Sequence, residues 1–398
     1  MDVLRPVIRP YPWGSRTGIA SLQGRPVPSD GPEAELWMGA HPSSPSLVTR
    51  EGHTEGLDAV IAADPVRELG SSVTGRFGGR LPFLLKVLSA DKALSIQVHP
   101  SAAQAVAGYE AERGLAPDDP RRNYVDDWPK PELLCALTPF EVLAGLRSAS
   151  DAASFAAAIG VPRLTAVIGA DMGQALRAIL EWPAGDLPAL IDDVVAGYSR
   201  LAAGLGPFAA TAQALVKVAT DHPGDVGIVA AALLRYAVLR PGEAVFMPAG
   251  GLHAYLHGTG IELLANSDNV VRAGLTGKHI DVPELLSLLD PAVAVPARHA
   301  HPVRPGVVAF DTPAPEFALF IADLGAASVP LPGIGPRIVL CADGTALLQS
   351  ASADTVKLAR GESCFVSAAD GDVTAEGPAG GPSEGPARLF VAAPGQFS

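Results

Sequence analysis

In ALSIQVHPS, residues 93–101, a hydroxyl, an amide and an imidazole recur at every second position as Ser95, Gln97 and His99. If the stretch is a strand, these three line one face of a sheet while Leu94, Ile96 and Val98 pack on the other. An amide oxygen and an imidazole two residues apart on a strand can share an ion. Alone, the pair is more simply read as two side chains satisfying hydrogen bonds at a strand end beside Pro100. Lys130 and Glu132 form a second polar pair with the same spacing, just before the apolar run LLCAL, and supply a carboxylate. By themselves they read as the ion-paired end of a surface loop. A third piece, PGEAVFMPAGGLHAYLHG, presents His253 after a turn, a strand and a second turn, which Pro248, Gly250 and Gly251 allow to fold back tightly. Together Gln97, His99, Glu132 and His253 make a mixed nitrogen and oxygen set suited to Zn2+, with a position or two left open. With Gln and both His neutral, Glu132 is the only charged donor and leaves the centre at about +1, which favours hydroxyl and developing anionic oxygens.

The His253 piece is similar to a cupin half-motif, in which a strand carries the histidine into a small barrel. A second histidine two residues on would complete the usual HxH pair, but Tyr255 stands there; His257 is a possible substitute, read more simply as a histidine at the barrel mouth. Further on, GIELLANSDNVVRAGLTGKHIDV interrupts an apolar strand with polar residues and places Arg272 after two valines. A guanidinium is not readily neutralised and can bind phosphate in a fork. Glu262, Asp268 and Asn269 could hold it in place. Lys86, inside the apolar run LPFLLKVL, is a buried-strand lysine that needs a partner or a task.

The elements around these residues follow from punctuation and periodicity. Residues 9–47 alternate short apolar pieces with Pro, Gly and Ser and read as short strands and turns. Leu57–Leu69 has the spacing of one short amphipathic helix, Leu81–Leu88 reads as a buried strand, and Ser101–Gly114 as a helix begun by Ser101 and ended by Gly114. From Ser150, a plausible cap, to Arg235, Ala-rich segments broken by Gly and Pro read as a helical insertion. Strand signals return over 237–264, and a helix is expected over 282–289. Beyond Pro291 seven short apolar runs, Val307–Phe310, Ala318–Ala322, Arg337–Cys341, Ala346–Gln349, Thr355–Leu358, Cys364–Ser367 and Arg388–Ala392, suggest an antiparallel sandwich or barrel, with 375–386 as a flexible loop. The chain thus reads as mainly β with a helical insertion. Its expected divisions are a discontinuous catalytic β domain of 1–149 and 236–290, a helical domain of 150–235 and a C-terminal β domain of 291–398.

Composition excludes several classes of function. With 48% hydrophobic and 18% charged residues, 42 Gly and 37 Pro, the chain suits a soluble protein rich in turns. A net charge of −13 argues against a broad footprint for nucleic acid or an anionic membrane, while allowing a locally cationic pocket. The three cysteines, Cys135, Cys341 and Cys364, are odd in number and far apart, so they read as reduced thiols in the cytoplasm. The N-terminus lacks the apolar core of a signal peptide, and no apolar run approaches a membrane span.

The segments PYPWGSRTGIA, AELWMGAHP, LPFLLKVLSADKALSIQVHPS, KPELLCALTPFEVLAGLR and PGEAVFMPAGGLHAYLHGTGIELLANSDNVVRAGLT resemble those of type I mannose-6-phosphate isomerases, in the same order. The resemblance runs from near the N-terminus to about Glu284. It implies cupin-like jelly-roll β domains beside the helical domain and a zinc-dependent interconversion of mannose 6-phosphate and fructose 6-phosphate through a cis-enediol(ate). It implies one Zn2+ per chain held by Gln97, His99, Glu132 and His253, an active-site role for Arg272, and contacts to the phosphate end from Ser95 and Lys86. Lys130 and Asp268 are then candidates for proton transfer, with Arg272 stabilising the enediolate. The expected partner is a small phosphorylated sugar, bound by a cytoplasmic monomer. In the family a histidine usually precedes the lysine of the KPE segment; here Pro129 stands there and can neither ionise nor donate a proton. That departure leaves open isomerisation of another phosphorylated or free sugar, or an inactive cupin-like sugar sensor.

Overall fold

The structure is a computed structural model that describes residues 1–378 and 386–395. Among the described residues the strands form antiparallel sheets of eleven, seven, four and two strands, and helices fill the middle of the chain. This is a sheet-rich protein with a helical insertion.

The eleven-stranded sheet is built around one long strand, His253–Ala265. Its second half pairs with Phe83–Ala90 on one side and Glu132–Ala136 on the other. Its first half pairs instead with Phe140–Leu146 and with the short strand Ile96–Val98, after a register shift between Tyr255 and His257. Gly258 takes φ +129 at the change of partners, and a Cβ there would meet Pro139 O at 2.8 Å, so only glycine fits the bend. The edge strand Val271–Gly274 adds to Ile96–Val98.

Two apolar layers decide which side chains turn inward. Behind Ile96–Val98, the buried Ile96, Val98, Val271 and Ala273 share a core with helices Ala149–Ile159, Met172–Leu180, Leu187–Ala202 and Ala209–Asp221. Behind the other sheet half, Leu85, Val87, Leu133, Ile261 and Leu263 pack on Phe317, Leu319, Ile338, Leu340, Phe365 and Phe390 of the C-terminal part. Because side chains alternate, both burials force Gln97, Arg272, Lys86, Glu132 and Glu262 onto the enclosed face. A one-residue slip in either sheet would expose a row of core residues at roughly 1.5–3 kcal/mol each.

The C-terminal part is a sandwich of the seven- and four-stranded sheets, with Val339, Cys341, Val366 and Val391 facing Leu348, Leu358 and Val373. Every strand expected there is present within two residues, and Arg298–His299, His301–Arg304, Val329–Pro330 and Val373–Glu376 are additional ones. Residues 379–385 of the expected loop lie outside the described residues. Sheet membership crosses the expected divisions: Asp2–Val3 pairs with Ser363–Val366, and Arg298–His299 pairs with Glu243–Met247.

Local expectations needed small corrections. The span 57–69 is two helices, Leu57–Ala63 and Pro65–Leu69, because Pro65 cannot continue the first and instead opens the second under the cap of Asp64. The helix expected over 101–114 runs Ala102–Ala111 with Ser101 and Gln104 in a reciprocal capping box. Ser148, not Ser150, caps the first helix of the insertion, its hydroxyl accepting from the Asp151 N–H at 3.1 Å. The three cysteines are free and buried, and burial pushes the Cys135 thiol up to about 12. No helix among the described residues is long and apolar enough to cross a membrane.

Candidate metal centre

Register brings the distant pieces together. Gln97 is the direct partner of Arg272 on one neighbouring strand and of His253 on the other, so the three stand in a row on one face. Glu132 opens its strand opposite Met247 and Leu264. His99 follows directly after Val98, and the Gly250 N–H donates to the His99 carbonyl at 3.0 Å, tying the turn that delivers His253 to the strand end. Gly250 holds φ +79 with Asp290 packed against it, a conformation and a space that favour glycine.

The imidazoles are fixed from behind. His99 Nδ1 lies 2.8 Å from the Asn269 carbonyl and His253 Nδ1 lies 3.0 Å from the Gly251 carbonyl. A carbonyl only accepts, so each Nδ1 carries the proton and each Nε2 presents a lone pair. Both Nε2 atoms face Glu132, His99 at 3.2 Å from Oε1 and His253 at 3.4 Å from Oε2. Two lone pairs and a carboxylate in contact, with no proton among them, repel unless a cation sits between. His99 Nε2 is indeed buried without a hydrogen-bond partner. Burial holds the His99 imidazole neutral, with its pKa lowered to about 4. The donor separations match the roughly 3.3 Å edge of a tetrahedron with zinc–nitrogen distances near 2.0–2.1 Å. His99, Glu132 and His253 therefore form a group able to hold a metal ion. Gln97 is adjacent, its Nε2 3.3 Å from His253 Nε2.

Glu132 is the hub. Burial opposes its charge, yet the carboxyl lies well below the usual range, with the Lys130 ammonium beside it. Lys130 Nζ lies 3.2 Å from Oε1, and the Tyr255 hydroxyl donates toward Oε2 at 3.5 Å. Tyr255, the residue in place of a second HxH histidine, thus joins the centre through its hydroxyl. His257 does not, because the register shift after Tyr255 turns it toward Glu141 and a separate cleft with Ser15, Thr17 and Arg360.

Lys86 has acidic partners. Its ammonium lies 3.5 Å from Glu35 Oε1 and 3.2 Å from Glu262 Oε2, over the Trp37 ring. Burial alone would discharge it, but the two carboxylates raise its pKa. Ser95 lies just before the strand, and no hydrogen bond joins it to Lys86 among the described residues. Arg272 is half-buried with its pKa lowered by burial, and no carboxylate pairs with it among the described residues. The charge of Arg272 in turn lowers the pKa of Lys278. Sequence reasoning missed Lys278, which lies six positions beyond Arg272 in an exposed turn with no local signal.

Asn269, fully buried, locks the centre to the polar loop before Glu132. Its Oδ1 accepts from the Val125 N–H at 2.7 Å, its Nδ2 donates to the carbonyls of Asp126 at 2.8 Å and Trp128 at 2.9 Å, and its own carbonyl orients His99. Asn269→Ala is expected to lower zinc affinity by about 10–100-fold while leaving all donors in the chain. Competition with a fluorescent chelator reads this; an unchanged affinity would show that the loop anchors nothing.

A sheet-rich protein that buries two imidazoles and a carboxylate within reach of one another is a metal-site protein by construction. Comparison with known proteins gives the family. Residues 1–149 match the model of the phosphomannose isomerase type I catalytic domain. Over 392 residues the chain is 37% identical to mannose-6-phosphate isomerase of Escherichia coli strain K12, covering 93% of this chain and 95% of that one. The bovine mannose-6-phosphate isomerase is 32% identical over 401 residues, covering 91% and 92%. Among solved structures, a mutant phosphomannose isomerase from Salmonella typhimurium superposes with a TM-score of 0.88 at 33% identity over 100% of both chains. A zinc-bound mannose 6-phosphate isomerase gives 0.86 at 33% identity over 99% of both. The chain belongs to the mannose-6-phosphate isomerase family.

Proposed function

We propose that this chain is a zinc-dependent aldose–ketose isomerase that interconverts mannose 6-phosphate and fructose 6-phosphate. The observation that carries the reading is the orphaned His99 Nε2, aimed with His253 Nε2 at the one carboxylate between them. Gln97, His99, Glu132 and His253 would hold the ion, Gln97 through its amide oxygen. Bound there, zinc supplies Lewis acidity that stabilises negative charge on oxygen.

The rest is work for the chain's own residues. Isomerisation takes a proton from C2 of the aldose and returns it to C1 of the ketose, while the C2 hydroxyl loses a proton and the former carbonyl oxygen at C1 gains one. The cis-enediol(ate) between them carries charge on oxygen. Asp268, 3.3 Å from His41 Nε2 through Oδ2 and with 42% of its side chain exposed, has a carboxylate able to take the carbon proton. Lys130, 3.2 Å from Glu132, holds positive charge at the edge of the centre and is the second group able to move a proton there. Arg272 and Lys278, two cations without a shared carboxylate, suit the phosphate, with Arg272 also near enough to Gln97 to steady the enediolate. Ser95, two residues before Gln97, adds a hydroxyl at that end. Lys86, held between Glu35 and Glu262, is the further group proposed for the phosphate end.

For the architecture we propose cupin-like jelly-roll β domains, with 1–149 and 236–290 as the catalytic domain, 150–235 as the helical domain and 291–398 as the C-terminal domain. We also propose a cytoplasmic monomer. The test is a coupled assay of the zinc-loaded chain on mannose 6-phosphate beside free mannose. Turnover of the phosphorylated sugar alone is expected; no turnover with zinc bound, or equal rates on both sugars, refutes the reading.

A further inference from the structure

His41 sits in the segment AELWMGAHP, three positions beyond the end of the strand Glu35–Met38, and is 3% exposed. Its ring meets the edge of Trp37 at 4.8 Å with the planes at 73°. The Ser43 backbone N–H points at His41 Nδ1 from 3.2 Å, and the Ser43 hydroxyl lies 2.9 Å from the same atom. A backbone N–H can only donate, so Nδ1 accepts and the proton of the neutral ring is on Nε2. Nε2 lies 3.3 Å from Asp268 Oδ2. On the other side, the Asp268 backbone N–H donates to Asp126 Oδ2 at 2.9 Å. The carboxylate is thus held at one oxygen by a buried imidazole, with 42% of the Asp268 side chain exposed.

We propose that His41 is a positioning residue for the isomerisation, which holds Asp268 ionised and oriented through its Nε2–H. This rests on the isomerase reading above and assigns its proton carrier. In this tautomer His41 is a fixed donor to Asp268, so the carboxylate keeps one orientation through the cycle. Burial opposes the Asp268 charge, but the His41 hydrogen bond, with Lys130 and Lys86 beyond, lowers its pKa. The other groups facing the pair are Asp126, Lys278 and, across Trp37, Arg9 and Glu35.

Removing a hydrogen bond to a charged group costs roughly 1.5–3 kcal/mol, or about one pKa unit or somewhat more. In His41→Ala the acidic limb of kcat/KM for mannose 6-phosphate should therefore move up by about one pH unit. The carboxylate must ionise before it can act as a base, so raising its pKa shifts the limb upward. At the same time kcat should fall about tenfold with KM little changed. His41→Gln, whose amide N–H can replace Nε2–H, should restore most of the limb, and zinc content should stay at the wild-type value in both variants. Imidazole nitrogen shifts of the wild-type chain give a second readout that needs no variant, and they should report the Nε2–H tautomer. An acidic limb unmoved in His41→Ala, a loss of zinc in step with activity, or an Nδ1–H tautomer overturns the proposal. A zinc-loaded wild-type chain without turnover overturns the isomerase reading instead, so the two failures are distinguishable.

Discussion

Stripping zinc from the chain with a chelator should lower kcat on mannose 6-phosphate by roughly 10³-fold or more, and adding zinc back should restore it. The size follows from the charge that must appear. Removing a proton next to a carbonyl leaves negative charge on oxygen, and a bound dication stabilises such charge by several kcal/mol, with each 1.36 kcal/mol worth tenfold in rate. The ammonium groups of Lys130 and Lys86 cannot replace it. Lys130 is committed to Glu132 at 3.2 Å, and Lys86 to Glu35 and Glu262. Glu132→Gln should reproduce most of the loss even in added zinc, because it removes the only charged donor while keeping the volume. Rates with and without zinc, beside the zinc bound per chain, check both. Full activity in the stripped chain would sink the metal-centre reading.

The second large effect is on stability. Lys86→Met should destabilise the fold by about 3–5 kcal/mol at about pH 8, because it leaves Glu35 and Glu262 buried without their shared cation. The loss should be smaller at about pH 5.5, and the sign follows from linkage. Burial already pushes the Glu262 carboxyl up to about 7, despite Lys86 beside it. An acid whose folded pKa is raised contributes stability below its unfolded pKa and loses it as pH rises through the folded value. Without Lys86 that folded value climbs further, so the part of the deficit carried by Glu262 opens as pH rises above about 7, where the wild-type carboxyl ionises and the variant's does not, and grows toward the alkaline side. Urea midpoints at the two pH values measure it. In the double variant Lys86→Met with Glu262→Gln, part of the stability should return, because one uncompensated charge is gone. A deficit equal at both pH values would mean that Lys86 acts through packing of its stem against Trp37 rather than through charge.

The two halves of the site differ in how readable they were. The alternation of ALSIQVHPS was legible because strand periodicity is a local property: Ile96 and Val98 are both fully buried, and Gln97 faces the other way. The turn before His253 was legible for the same reason, since Pro248 and Gly250 shape the backbone where they stand. The metal set emerged once carboxylate, amide and imidazoles were weighed together, and the family resemblance put them in one place. The helix starts were less well read. Ser148 and Ser150 offer the same hydroxyl, and only the path of the backbone decides which of them reaches the Asp151 N–H.

What the sequence by itself determined was the identity of the donors, the sheet-rich plan with its helical middle, and the faces on which the short strands show their polar residues. Each depends on spacing within one element. Tertiary structure alone decided the partners. It gave Lys86 to Glu35 and Glu262, His41 to Asp268, and Asn269 to both His99 and the loop before Glu132. These contacts join segments distant along the chain, set by sheet register and by which faces the helical and C-terminal cores cover. A charge in a buried strand announces that it needs a partner; only the packing of other strands against it determines which partner arrives.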